Sequence, residues 1–153
     1  MRRVAAISMV AYLAVLLLLT FLPLGDPESV AARQLNLVPL KTIGRALNAG
    51  VDSPKFALVL GNLAAFVPLG ILVPVMTRKR SWLLVLVSAL ALSAAIELGQ
   101  YVVSTNAGFA YRTTDIDDVI LNVLGALTDY AGYLLFQAVR AKAADSRRPS
   151  RPR

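Results

Sequence analysis

The chain has 153 residues, enough for one domain, of which 57% are hydrophobic and only 16% charged. Its mean hydropathy is +0.63, whereas a soluble domain carries about a quarter charged residues, so the composition suits a bilayer. Cys and His are both absent, which excludes disulfides, thiolate or imidazole metal sites, a Ser-His-Asp triad and the usual switch near neutral pH.

The first apolar segment, Val4 to Leu24, carries no charge. Its Met1-Arg2-Arg3 start and the small residues Val30-Ala31-Ala32 fit a secretory signal. The apolar run, however, exceeds the roughly 7–15 residues of a signal core, so the segment reads as an uncleaved span. The loop from Gly25 to Pro54 holds a short amphipathic helix. Pro39 suits its first position, Leu40, Ile43 and Leu47 share one face, Lys41 and Arg45 lie on another, and Gly50 lies beyond its end. Such a helix lies on the membrane surface or covers the bundle.

Three further segments reach the roughly 20 apolar residues needed to cross a hydrocarbon core. They are Phe56 to Met76, Trp82 to Val103 and Ile116 to Val139. Pro68 and Pro74 should bend the second span. Gly61, Ala65 and Leu69, and separately Ala91, Ala95 and Gly99, fall at fourfold spacing that suits close helix packing. Residues 143–153 form a basic tail without expected order. The expected fold is therefore an all-α integral membrane protein: a four-transmembrane-helix bundle forming a single domain over residues 1–142.

Basic residues set the orientation. Eleven of them (Arg2, Arg3, Arg78, Lys79, Arg80, Arg140, Lys142, Arg147, Arg148, Arg151, Arg153) fall on one side, against five (Arg33, Lys41, Arg45, Lys55, Arg112) on the other. Both termini are expected in the cytoplasm, with the two longer loops, and the amphipathic helix in the first of them, outside. The excess of base is thus a topology signal, and no nucleic-acid partner is expected.

Polar groups inside spans are costly and face a bundle interior or a watery cavity. Ser93, Glu97, Gln100 and Ser104 share one face of the third span, and Asp115, Asp118, Asn122, Gly125 and Asp129 share one face of the fourth. Asn62, Glu97 and Asn122 each lie six residues, about 9 Å, from the outer end of their span. Gln100 and Asp118 sit one turn above that level, and Arg112 and Asp115 rim the opening. An acidic, amide-rich pocket open to the outside follows. Asp129 lies deeper, near the bilayer middle. Plainer roles stand beside this one. The amides suit interhelical hydrogen bonds worth about 0.6 kcal/mol, Asp117 suits a cap on its own helix, and Arg112 with Asp115 suits an exposed loop pair. Glu97, about two turns inside the bilayer, needs a partner: Arg112 as an ion pair, or Asp118 across a shared proton or cation.

The chain resembles the VanZ-like family of bacterial membrane proteins. The resemblance rests on Asn36-Leu37-Val38-Pro39-Leu40-Lys41-Thr42-Ile43, on Gly61-Asn62-Leu63 with Phe66-Val67-Pro68-Leu69-Gly70, on Ile96-Glu97-Leu98-Gly99-Gln100, and on Arg112-Thr113-Thr114-Asp115-Ile116-Asp117-Asp118 continuing to Asn122 and Gly125-Ala126. These blocks keep the family's order over about residues 33–136. The family usually has Phe at the position of Leu40 and a bulkier residue where Gly99 precedes Gln100. The resemblance implies Asn36, Asn62, Glu97, Gln100, Arg112, Asp115, Asp118 and Asn122 as site residues, and a cell-envelope role linked to low-level tolerance of teicoplanin but not vancomycin.

The leading expectation is a protein of the bacterial cytoplasmic membrane that handles a lipid-linked or peptidoglycan-related ligand at the outer leaflet. Arg112 would grip a phosphate, and Asn36, Asn62, Gln100, Asp115 and Asn122 would bind and orient the headgroup. One alternative is a membrane enzyme hydrolysing a lipid phosphate or ester. Glu97 and Asp118 would be its acid and base, with a divalent cation on Asp115, Asp117 and Asp118. A small transporter or flippase relaying protons or ions through Glu97 and Asp129, or a structural partner protein, completes the set. Membrane lipids and a lipid-linked cell-wall precursor are the partners these readings name, and no cofactor is specified.

Overall fold

The computed structural model describes residues 2–21, 35–107 and 114–146. Its elements are α1 (Arg2–Phe21), β1 (Leu35–Asn36), α2 (Lys41–Ala49), α3 (Pro54–Ala65), α4 (Val67–Thr77), α5 (Trp82–Ala107), β2 (Thr114–Asp115) and α6 (Ile116–Asp145). Among the described residues, four stretches are long and apolar enough to cross a membrane: Arg3–Phe21, Pro54–Thr77, Trp82–Asn106 and Ile116–Asp145. The chain is an all-α, multi-pass membrane protein.

The second span is not one helix. α3 starts where Ser53 caps the Phe56 N–H and Pro54 occupies the first turn. It ends at Phe66, and α4 restarts with Pro68 in its own first turn. Leu69 turns its N–H to the Phe66 carbonyl, so the Ala65 carbonyl loses its helical donor. The Tyr12 hydroxyl of α1 supplies one at 3.0 Å. The expected bend is thus a break placed by Pro68, while Pro74 lies buried inside α4, which continues to Thr77.

Phe66, Leu69 and Val73 form the core with Leu16, Val85, Ala89, Ile96, Ala126 and Tyr130. Large apolar side chains elsewhere, such as Ile7, Leu18, Leu83, Val87, Leu135 and Phe136, point outward, the inverse of a water-soluble surface and suited to lipid. The closest helix approaches are not at the expected small-residue rows. Ala91 and Ala95 are exposed, and nothing lies within 4 Å of a Cβ built on Gly61. Gly99 does meet the Phe21 ring, at 2.9 Å. The tightest contacts come at Gly125, where a Cβ would overlap the Leu63 carbonyl, and at Gly70, where it would overlap the Ala126 carbonyl and lie 2.9 Å from the Asp129 Cβ. These two glycines let α6 pack on α3 and α4.

α6 has 30 residues, about 45 Å of helix, and so outreaches a hydrocarbon core of about 30 Å. Its last turns carry exposed Arg140, which lies 5.6 Å from the Phe136 ring centroid, and Lys142. Ala143 to Asp145 are helical rather than part of a tail, and 147–153 lie outside the described residues.

Candidate functional site

The first turn of α6 organises the end of the bundle where α2 lies. Asp115 caps α6 by accepting the Asp117 N–H at 2.9 Å. The same carboxylate accepts the Asn36 Nδ2 at 2.9 Å and the Thr42 hydroxyl at 2.5 Å. Asn36 also donates to Thr42 Oγ1, at 3.2 Å. Backbone pairing reinforces this, because β1 and β2 run parallel with Leu35 opposite Thr114 and Asn36 opposite Asp115.

Asp117 does not cap its own helix. Fully buried, it accepts the backbone N–H groups of Leu40, Thr42 and Ile43 and so caps α2 from another helix. An α-helix leaves its first N–H groups unsatisfied and carries partial positive charge there. Leu40, the N-cap of α2, has no side-chain cap and a left-handed backbone with φ 64°. Pro39 accordingly sits in the turn before the helix rather than at its first position, while Gly50 ends the helix with φ 88° as expected.

Below this network lies a small, partly open cavity of about 30 Å³, lined by Leu16, Thr20, Asn62, Ala65, Phe66, Ile96, Glu97, Gln100, Asp118 and Asn122. Helical periodicity accounts for the convergence. Ser93, Glu97, Gln100 and Ser104 are all buried along one face of α5, as are Asn122 and Gly125 on α6. Tyr12, Leu16 and Thr20, four apart on α1, turn the same way. Glu97 Oε2 accepts the Asp115 N–H at 3.0 Å, so one side chain joins the cavity to the network above. Gln100 Nε2 reaches the Thr20 carbonyl at 3.4 Å. Asn122 Nδ2 donates to Ser93 Oγ at 2.9 Å, while Asn122 Oδ1, also buried, has no partner.

Of the residues singled out from sequence, Asn62, Glu97, Gln100, Asp118 and Asn122 therefore line one cavity. Asn36 and Asp115 do not; they bind each other one layer away, and Asp115 is buried rather than part of an exposed loop pair. Arg112 lies outside the described residues. Asp129 packs against Gly70, with its Oδ2 buried and unpartnered. The oxygens of Asp115 and Asp117 are engaged by hydrogen-bond donors, and among the described residues no group of three carboxylates is placed to hold a metal. The three-aspartate cation site is thus not formed. Thr20 and Leu16 were missed, although the spacing of Thr20 from Tyr12 could have signalled an inward face on α1.

No curated protein and no solved structure matches the chain. The VanZ/LLP1 family does, over residues 9–137, a stretch that takes in every described cavity residue and both halves of the broken span. The chain belongs to the VanZ/LLP1 family.

Proposed function

We propose that this chain acts in the bacterial cell envelope by holding the tip of the polar headgroup of a lipid-linked or peptidoglycan-related ligand in the Asn62–Glu97–Asn122 cavity, and that it thereby raises tolerance to teicoplanin. The observation that carries this reading is Asn122 Oδ1, a buried acceptor without a partner in a cavity that also holds two carboxylates and two other amides. A buried acceptor left unmade costs about 1–3 kcal/mol, and a ligand donor removes that cost. Sugar hydroxyls, peptide amides and ammonium groups, which abound on cell-wall precursors, are such donors.

A volume of about 30 Å³ admits a water or one small polar group, so the cavity would engage the tip of a headgroup rather than enclose it. With the orientation expected from the basic residues, the cavity opens toward the outer leaflet of the cytoplasmic membrane. A tethered ligand would then keep its lipid in the bilayer. Teicoplanin is itself lipid-tethered and vancomycin is not, which supports a membrane protein that distinguishes them.

The test is susceptibility of a null strain expressing wild type, Glu97→Gln or Asp118→Asn at matched membrane levels. Wild type is expected to raise teicoplanin tolerance and leave vancomycin unchanged, with both variants returning to the null value. Equal protection by wild type and variants would sink the cavity reading, and no protection by wild type would sink the link to teicoplanin.

A further inference from the structure

The stretch from Leu35 to Ser53 exposes an unusual amount of apolar surface for a connection between helices. Leu37, Val38, Leu40, Leu47 and Val51 are each between 57% and 71% exposed. Leu47 on α2 and Leu40, the residue that precedes the helix, are exposed to similar degrees, 62% and 61%. Ala46, fully buried, turns toward the bundle. Lys41 and Arg45, four apart and both exposed, occupy another edge. Asp52, beyond the helix end, is the one carboxylate between residues 35 and 53.

The position of α2 decides what covers the apolar surface. The helix packs on α3, at the end where the second span begins, and is capped by Asp117 on the first turn of α6. It therefore touches terminal turns of two spans, which is headgroup depth. The cap also gives it a fixed seat, so the apolar edge is held out rather than folded in. A helix with one apolar and one basic edge at that depth lies in the interface and gains from anionic lipid.

From this we infer that residues 37–51 form an interfacial shelf, with Leu40, Leu47 and Val51 inserted among acyl chains and Lys41 and Arg45 binding the phosphates of anionic phospholipids. A second copy is the poorer fit, because facing shelves would bring four cations together without a compensating carboxylate on α2. The inference needs only the four spans and does not rest on the cavity's ligand.

The chain holds a single Trp, Trp82, so a Trp82→Phe background allows one probe at a time. Leu47→Trp and Asn48→Trp proteins would be reconstituted in phosphatidylcholine vesicles with or without phosphatidylglycerol. Acyl-chain-brominated lipid is expected to quench the Leu47 probe about three times more strongly than the Asn48 probe. Brominated phosphatidylglycerol should outcompete brominated phosphatidylcholine at Leu47 by up to about fivefold per basic residue, and a Lys41→Gln, Arg45→Gln pair should abolish that preference. Equal quenching at the two positions overturns the shelf. So does a Leu47 probe shielded from both brominated lipid and aqueous iodide, since a protein then covers the edge. A lipid preference that survives loss of both cations overturns the anionic-lipid assignment. Val51→Trp provides the same readout should Leu47→Trp fail to reach the vesicles.

Discussion

The Asp117 carboxylate on the first turn of α6 accepts the Leu40 N–H at 2.5 Å across 77 residues of sequence. Leu40 is held there with φ 64°, a conformation that costs an L-residue about 1–2 kcal/mol. The same carboxylate serves Thr42 and Ile43, so one buried side chain fixes both the seat and the first turn of α2.

Asp117→Ala should consequently lower stability in detergent micelles by about 3 kcal/mol, because bonds to a charged acceptor are lost and buried N–H groups are left without partners. Hydrogen exchange should quicken at the amides of Leu40, Thr42 and Ile43 before it does elsewhere. Leu40→Ile keeps the apolar volume but places a β-branched residue at positive φ, and should cost about 1 kcal/mol. Unchanged melting temperatures for both variants would refute the cap.

Glycine substitutions should divide by position. Gly125→Ala and Gly70→Ala drive a methyl into the backbone of the facing helix and should each cost about 1–3 kcal/mol. Gly61→Ala and Gly132→Ala meet nothing within 4 Å and should be neutral or slightly stabilising. Thermal stability of the four purified variants checks the split, and a uniform effect across them would contradict the packing described.

What sequence spacing revealed, and what it did not, follows from the range of each interaction. Ser93, Glu97, Gln100 and Ser104 were legible as one buried face because the helical period alone places them there. The level shared by Asn62, Glu97 and Asn122 was legible too, since helix rise converts residue counts to depth. Asn36 reaches Asp115 through a parallel bridge 79 residues away, and two-residue strands leave no periodic trace. Asp117 looked like a local cap because nothing in one sequence says that a carboxylate serves a helix other than its own. The close approaches at Gly70 and Gly125 depend on which helices become neighbours, so small-residue spacing along one span could not single them out.

Asn36 and Asp115 offer a direct test of clamp against ligand contact. Asn36→Ala and Asp115→Ala should each destabilise the protein by about 1–3 kcal/mol. Their double variant should lose less than the sum, because the removed bond is shared. Strictly additive losses would mean that the 2.9 Å contact contributes nothing. Loss of teicoplanin tolerance with stability intact would instead assign Asn36 to the ligand.

Tyr12→Phe isolates the break in the second span. Removing the hydroxyl leaves the Ala65 carbonyl without its 3.0 Å donor inside the bilayer, and a loss of about 0.6–1.7 kcal/mol is expected, the range for hydrogen bonds between membrane helices. Double-mutant cycles with Pro68→Ala should show coupling, since an unbroken helix needs no outside donor for Ala65.

The same break bears on how the chain enters the membrane. α3 has 12 residues and α4 has 11, about 18 Å and 17 Å of helix, and neither could cross a hydrocarbon core of about 30 Å alone. The insertion machinery must therefore accept the 24 residues from Pro54 to Thr77 as one unit. Truncation within that stretch should strand the nascent chain short of the far leaflet, and α1, which carries the Tyr12 hydroxyl, is already synthesised when the break first needs its donor.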